Sequence, residues 1–452
     1  MRVHLIAIGG AVMHNLALAL HHKGFIVSGS DDEIFEPAKS RLEQAGILPA
    51  AWGWFPEKLD ALLDVAILGM HAKADNPELL RAQELGLPLF SFPEYLYENS
   101  KDKKRVVIGG SHGKTSTTSM IMHVLRKAGL DFDYMVGAQI EGFDTMVKLT
   151  HDAPIAIFEG DEYLSSAIDR RPKFHLYHPH IAVLTGIAWD HINVFPTFDF
   201  YVQQFQEFAG MIEKAGTLIY FDEDIHLQRI AKDLPADVKA IPYNAHVSMI
   251  QDDVTWLRDG NSQFHPLQVF GNHNLQNIQA AYFVCRELGV SDEQFYQAMK
   301  SFGGAAKRLQ LLRKNSQSAV YLDFAHSPSK LQATVKAVKE QFPGRKLIAC
   351  MELHTFSSLN PEFLKEYKGC MDAADLSVVF YDHHVLELKR MPDLSPETVK
   401  TAFGGRVEVM TDASEFRRFV ESLELNHTNL LLMSSGNFSG IKFPELAAIL
   451  IP

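Results

Sequence analysis

Ten residues constrain this chain more than any others: Gly109-Gly110-Ser111-His112-Gly113-Lys114-Thr115-Ser116-Thr117-Thr118. An apolar run of strand length, Arg105-Val106-Val107-Ile108, leads into them. Behind them Ile121, Val124, Leu125 and Ala128 recur at helical spacing, and Gly129 reads as a C-cap. Strand, glycine loop, Lys-Thr pair and helix together predict a phosphate cradle. Glycines let backbone N–H groups approach a polyphosphate, and the helix N-terminus adds partial positive charge. Lys114 is placed for the terminal phosphates and the Thr115 hydroxyl for Mg²⁺. Only three residues separate Gly109 from Gly113, so the loop is shorter than the usual one.

A chain of 452 residues leaves room for about three domains of ~150 residues. The net charge of −12 argues against wholesale nucleic-acid binding. An anionic ligand must therefore be met by local basic groups and helix N-termini. No stretch of about 18 apolar residues is present, which excludes a membrane-spanning helix. Met1-Arg2-Val3-His4-Leu5-Ile6 reads as a strand rather than a secretion signal. Cys285, Cys350 and Cys370 lack motif spacing, which fits a reducing cytoplasm and neither a disulfide framework nor a zinc site.

The fold class expected is α/β in three domains: an N-terminal Rossmann-like unit over 1–103, a central P-loop unit with a parallel sheet over 104–303, and a C-terminal Rossmann-like unit over 304–452. The first opens with a strand at His4–Ile8, a Gly9-Gly10 turn, a helix over 12–22 and a strand at Phe25–Asp31. Asp31 falls about 20 residues after Gly10, where a ribose-binding acid would stand; a ligand-free turn is the other reading. Lys101-Asp102-Lys103-Lys104-Arg105 reads as a charged linker or solvated loop, and Phe302-Gly303-Gly304-Ala305-Ala306 as a hinge. Strands at 319–323, 346–351, 376–380 and 430–433 alternate with helical patterns.

Glu159 ends an apolar strand, Ile155–Phe158, where P-loop enzymes place a magnesium-binding acid. Asp161 and Glu162 read as groups that solvate the following turn. Asp190-His191 follows another strand; by chemistry alone His191 is a structural or outer group, since Mg²⁺ prefers oxygen. His175, His178 and His180 read as surface loop residues, as do Asp382-His383-His384. Lys307-Arg308 is either a cation pair that swings toward a transferring phosphoryl group or a solvated pair. Asp323 and His326 close a strand of the third unit, where ligands gather; a turn-capping Asp is the plain alternative.

Taken together these segments resemble the Mur ligase family, the ATP-dependent amide-bond ligases of peptidoglycan precursor synthesis. The motifs are Gly110–Thr115, Glu159-Gly160-Asp161-Glu162, Asp190-His191, Gly271-x-His273-Asn274-x-x-Asn277, Lys307-Arg308 and Asp323-x-x-His326, in the family's order. Gly9-Gly10, Ser28–Asp31 and Asp75-Asn76-Pro77-Glu78 look like the branch that binds UDP-N-acetylmuramate. Within it, Glu159–Tyr163, Lys173-Phe174-His175-x-Tyr177 and Met433–Gly440 look like members that attach L-alanyl-γ-D-glutamyl-meso-diaminopimelate, a recycling step. The alternative is the member that adds L-alanine in de novo synthesis.

The resemblance implies the following roles. Gly110, Ser111, His112, Gly113, Lys114, Thr115 and Ser116 would hold ATP phosphates, and His273, Asn274 and Asn277 its adenine end. Arg308 would reach the phosphates and Asp323 the ribose. Gly9, Gly10, Ser30, Asp31 and His112 would border the UDP-sugar. Thr115, Glu159 and His191 would hold Mg²⁺, which reverses the chemical reading of His191. Lys114, Glu159, His191, Arg308 and His326 would be catalytic. The implied protein is a cytoplasmic monomer that uses ATP and Mg²⁺ and neither binds nucleic acid nor enters a membrane. The chain departs from the family at Gly186 and Ala188, at Val12, His14 and Asn15 in the sugar-nucleotide loop, and at Glu352–Ser358 in the acceptor loop. Family members with a carbamoylated lysine carry it in the helix after Asp-His; here Gln203 or Gln206 occupies that region, so none is expected.

Overall fold

The computed structural model describes residues 1–189 and 194–452. Three parallel-dominated α/β sheets follow one another along the chain, the three-domain α/β architecture that the sequence implies. The first contains β1 (Arg2–Ile6), β2 (Ile26–Ser30), β3 (Val65–Leu68) and β4 (Leu89–Ser91), all parallel, in the order β2-β1-β3-β4. The chain reverses direction across this sheet between β1 and β3, which opens a crevice beyond their carboxyl ends. β1 ends at Ile6, two residues earlier than its apolar run suggests. Ala7 takes φ +67°, and the N–H groups of Ala7 and Ile8 both turn back to the Ser30 carbonyl at 2.9 and 3.1 Å.

The second sheet contains β5 (Lys104–Gly109), β6 (Phe132–Met135), β7 (Val147–Lys148), β8 (Ile155–Glu159), β9 (Ile181–Leu184), β10 (Thr217–Phe221) and β11 (Lys239–Tyr243). Its order is β11-β10-β9-β5-β8-β6-β7, and only β7 runs antiparallel. β5, β8 and β9 are buried along nearly their whole length, as central parallel strands must be. Ile108 pairs with Glu159 and Gly109 with Leu184, so the phosphate loop emerges between the ends of β8 and β9.

Both sheets lie in one compact unit, Met1–Asn244 with Gln276–Ala298. The second unit is Ala245–Leu275 with Met299–Pro452. It holds a small antiparallel sheet, β12 (Ser248–Gln251), β13 (Val254–Arg258) and β14 (Phe264–Pro266), absent from the sequence reading. Its main sheet is β15 (Gln310–Lys314), β16 (Ala319–Asp323), β17 (Lys346–Glu352), β18 (Leu376–Phe380), β19 (Glu408–Met410) and β20 (Thr428–Met433), ordered β15-β16-β20-β17-β18-β19. Only β15 is antiparallel. Asp323, Met433 and Glu352 thus end three adjacent central strands.

The charged break at 101–105 is solvated only in part: Lys101, Asp102 and Lys104 are exposed, whereas Lys103 and Arg105 are buried. Lys103 is buried and pairs with buried Asp133 at 2.5 Å, while Thr150 donates to the other Asp133 oxygen at 2.7 and 2.8 Å. Arg105 is 2% exposed and donates to the carbonyls of Tyr177, His178, Ser100 and Lys101 and to Glu213. Buried charges demand this saturation.

Candidate active site

The phosphate loop leaves β5 at Gly109 and enters the helix Lys114–Lys127. Gly110 has φ +129° and Gly113 φ +76°. A Cβ at Gly110 would strike the Thr185 hydroxyl, and one at Gly113 the Asn277 side-chain oxygen. Both positions therefore require glycine on two counts, conformation and space. The loop is tied to the end of β9 from several sides. Thr185 N–H donates to Gly109 O, Ser111 N–H to Gly186 O at 2.9 Å, and Ala188 N–H to Ser111 Oγ at 2.9 Å. The positions that depart from the family pattern, Gly186 and Ala188, thus hold the loop through their backbones. His112 Nδ1 bonds the Ser111 carbonyl, and Thr185 donates to the His112 carbonyl.

Two acids reach the loop. The Thr115 hydroxyl donates to Glu159 Oε1 at 2.9 Å, and Gly137 N–H donates to Oε2 at 2.8 Å. A hydroxyl and a carboxylate held together at the mouth of a phosphate loop fit a hard, oxygen-seeking Mg²⁺. Among the described residues no cluster of three or more His, Cys, Asp or Glu could hold a metal ion by itself. Asp190 and His191 lie outside the described residues.

The second acid is Glu162, and here the sequence reading is corrected. Glu162 does not solvate a turn; it is 1% exposed and accepts Lys114 Nζ at 2.6 Å. Lys114 also donates to Gly110 O at 2.6 Å. Burial alone would lower the Lys114 ammonium, but Glu162 and Asp161 outweigh it and hold it above its usual range. Asp161 is likewise engaged, with Lys173 at 2.5 Å. Burial works to raise its carboxyl, yet Lys173 and Lys114 pull it down to about 2.

The helix Phe198–Gly210 contributes a residue that sequence reasoning missed. Gln203 and Gln206 face solvent, whereas Tyr201 is fully buried. Its hydroxyl donates to Glu162 Oε1 at 3.1 Å and lies 2.9 Å from Ser111 Oγ. The helical signal is present: Tyr201, Phe205 and Phe208 form the apolar stripe of the buried face, with Gln204 beside them, and Gln203 and Gln206 its reverse. His175 is also corrected. It is 3% exposed, stacks on Phe174 and bonds the Gln204 carbonyl through Nε2 at 2.7 Å, so it belongs to the core.

The proposed sugar-nucleotide residues gather at the ends of β1 and β2. Gly9 N–H donates to Asp31 Oδ2 at 2.7 Å, and Lys58 Nζ reaches Ser30 Oγ at 3.0 Å. Burial pushes the Asp31 carboxyl up to about 6, against the pull of that N–H. The departures behind this loop are structural. His14 Nδ1 bonds Gly10 O at 2.9 Å, and Asn15 Oδ1 accepts from Arg41 at 3.0 Å and Met146 N–H at 2.9 Å.

In the second unit Asp323 is buried and accepts N–H groups from Leu309 and Ala325. Burial raises its carboxyl, which these N–H groups and Arg308 oppose. The Arg308 guanidinium sits 4.8 Å from the Phe324 ring, and His326 Nδ1 bonds Phe324 O at 2.7 Å. Asn274 donates to Phe270 O at 2.8 Å within the first turn of the helix Asn272–Glu287, which His273 also opens. Asn277 lies in the first unit beside Gly113. Glu352, 2% exposed, accepts Phe438 N–H at 2.9 Å and the Ser434 hydroxyl. Among the described residues of this unit, Ser327 Oγ, His354 Nδ1 and Ser435 Oγ are buried without a hydrogen-bond partner, as is the more distant Trp256 Nε1, and His354 Nδ1 stands 3.7 Å from Glu352. The first three, in the sheet-end loops, follow the carboxyl ends of β16, β17 and β20, the rim where such sheets bind ligands.

Comparison with known proteins decides the family. Residues 2–104 match the Mur ligase family catalytic domain, 108–285 the Mur ligase middle domain and 307–436 the Mur ligase glutamate ligase domain. The chain belongs to the Mur ligase family. Mur ligases are ATP-dependent enzymes that form amide bonds in peptidoglycan synthesis. The UDP-N-acetylmuramate–L-alanine ligase of Paenarthrobacter aurescens (strain TC1) is 31% identical, over 84% of this chain and 82% of its own. The UDP-N-acetylmuramate:L-alanyl-gamma-D-glutamyl-meso-diaminopimelate ligase from Neisseria meningitides is 27% identical over 67% of this chain and 98% of its own, with a TM-score of 0.59. The UDP-N-acetylmuramate-alanine ligase from Thermotoga maritima shares the fold, with a TM-score of 0.71 at 19% identity over 100% of this chain and 98% of its own. Among the described residues no helix of this Mur ligase is long and apolar enough to cross a membrane.

Proposed function

We propose that this Mur ligase joins the lactyl carboxylate of UDP-N-acetylmuramate to the amine of L-alanyl-γ-D-glutamyl-meso-diaminopimelate, in the cytoplasm and as a monomer. Residues 1–103 hold the UDP-sugar at Gly9, Gly10, Ser30 and Asp31. Residues 104–303 hold ATP on Gly110–Ser116, and residues 304–452 take the peptide. A carboxylate oxygen attacks the γ-phosphorus and ADP leaves. The peptide amine then attacks the acyl carbon, the C–O bond to phosphate breaks, and phosphate departs as the amine loses its proton. ATP thereby divides one difficult acyl transfer into two easier ones. Lys114 holds the phosphates and offsets the charge that builds on them. Thr115 and Glu159, with His191 in the family's pattern, would hold Mg²⁺, which supplies Lewis-acid stabilisation of the phosphoryl oxygens.

What supports the peptide acceptor over L-alanine is the stretch Met433–Gly440. It resembles the tripeptide-adding members, and it folds around Glu352 through Ser434 and Phe438. Ser435 Oγ and His354 Nδ1 beside it, buried without a hydrogen-bond partner, suit a ligand with several polar groups. The 31% identity to an alanine ligase favours the other acceptor. Phosphate release and product mass, measured with UDP-N-acetylmuramate, ATP and either the tripeptide or L-alanine, separate the two. Release that depends on the tripeptide alone supports this reading; release with L-alanine alone sinks it.

A further inference from the structure

Tyr201 lies in a helix that contributes none of the residues assigned so far. Its ring is fully buried between Phe195 and Phe205, at centroid distances of 5.2 and 5.1 Å. Packing explains the ring but not the hydroxyl. That hydroxyl meets two groups of the phosphate-loop region, Glu162 at 3.1 Å and Ser111 at 2.9 Å.

The chemistry of the partners sets the direction of every bond. Glu162, paired with the Lys114 ammonium at 2.6 Å, has only lone pairs to offer, so Tyr201 donates to it. Ser111 Oγ accepts the Ala188 N–H at 2.9 Å, and its own hydrogen is directed to the tyrosine oxygen. The result is a one-way chain: Ala188 N–H, Ser111 hydroxyl, Tyr201 hydroxyl, Glu162 carboxylate, with Lys114 bound to the far oxygen. Hydrogen bonds in such a chain polarise one another, and the last is charge-assisted.

We infer that Tyr201 is a positioning residue: it fixes the Glu162 carboxylate through Oε1 so that Oε2 holds Lys114 extended along the phosphate loop before nucleotide arrives. The inference rests on the reading of that loop as the ATP site. Without the hydroxyl, Glu162 loses the bond that fixes Oε1, and Lys114 is held less firmly, so more of its ordering falls to nucleotide binding.

Tyr201→Phe keeps the ring and its packing. Calorimetric titration with ADP should show affinity weakened about tenfold, the size of one lost hydrogen bond to a charged group. In turnover the loss should appear in KM for ATP more than in kcat, because the group acts before chemistry. The decisive measurement is the double-mutant cycle with Glu162→Gln. If Tyr201 acts through Glu162, then Tyr201→Phe adds nothing further in the Glu162→Gln background. Additive losses, or unchanged or tighter ADP binding by Tyr201→Phe, overturn the inference while leaving the ATP reading intact. Failure of the unmodified enzyme to bind ADP or ATP at all overturns both. An unchanged thermal midpoint of Tyr201→Phe, alongside the weakened affinity, supports positioning over a packing defect.

Discussion

Thr115 donates its hydroxyl to Glu159 Oε1 across 2.9 Å, although 44 residues separate them in the chain. The parallel register that sets Ile108 against Glu159 brings them together. Both are the oxygen groups proposed to hold Mg²⁺. Glu159→Gln keeps the shape and an acceptor for Gly137 N–H but removes the charge. It should fold normally and lose about 100-fold or more in phosphate release, with a raised Mg²⁺ requirement. Glu159→Ala should in addition lose about 1 kcal/mol of stability in urea unfolding, because the bonds from Thr115 and the Gly137 N–H are lost. Wild-type turnover by Glu159→Gln would remove Glu159 from the metal site.

Lys114→Ala should abolish turnover, with a loss of about 100-fold or more, since its ammonium stands inside the loop against the Gly110 carbonyl. It also leaves Glu162 buried without its counter-charge, so stability should be measured alongside. Retained ATP-dependent phosphate release would overturn the assignment of this loop.

Gly113→Ala is predicted to fail for two separable reasons. Its φ of +76° costs a side chain about 1–2 kcal/mol, and the new Cβ meets Asn277. Adding Asn277→Ala relieves only the second. The urea midpoint should therefore recover partly, never fully, in the double variant. Full recovery would show that the backbone conformation carries no cost.

Lys103→Met strands Asp133 in the core of the second sheet, and its cost should be about 3–5 kcal/mol in urea unfolding. Lys103→Met with Asp133→Leu removes both charges and should recover most of it. A loss below about 1 kcal/mol for the single variant would place this pair in solvent.

Asp31 gives a pH test with a definite sign. Its folded carboxyl is held up at about 6, chiefly by burial, against 3.8 for an ordinary one. The folded protein therefore binds a proton that the unfolded chain has already lost. Ionised Asp31 costs stability at neutral pH, and that cost is relieved as pH falls from about 6 toward about 4. Relative to Asp31→Asn, the native enzyme should gain stability between pH 7 and pH 5 in urea titrations. A pH-independent difference contradicts the burial of this group.

Several features of the site were legible before any coordinates. The phosphate loop announces itself because its glycines, lysine and threonine are neighbours in the chain, and so are the strand and helix that flank it. Glu159 was legible for the same reason, as the acid ending an apolar run. Tyr201 was not, because nothing local marks one buried aromatic among Phe195, Phe200, Phe205 and Phe208 as bearing a functional hydroxyl. The small sheet of Ser248–Gln251, Val254–Arg258 and Phe264–Pro266 escaped notice because its two outer strands are short and exposed or half-buried throughout, and only Val254–Arg258 alternates between faces.

The sequence by itself determined the α/β alternation, the phosphate loop and the family. Each rests on local periodicity, on glycine's freedom at positive φ, or on motifs read in order along the chain. Only the tertiary structure decided where the charges went. It buried Lys103 and Arg105, turned Glu162 from a solvated acid into the partner of Lys114, and brought Tyr201 to Glu162 across 39 residues. Strand order and register set those pairings, and the price of burying a charge alone decides which of them persist.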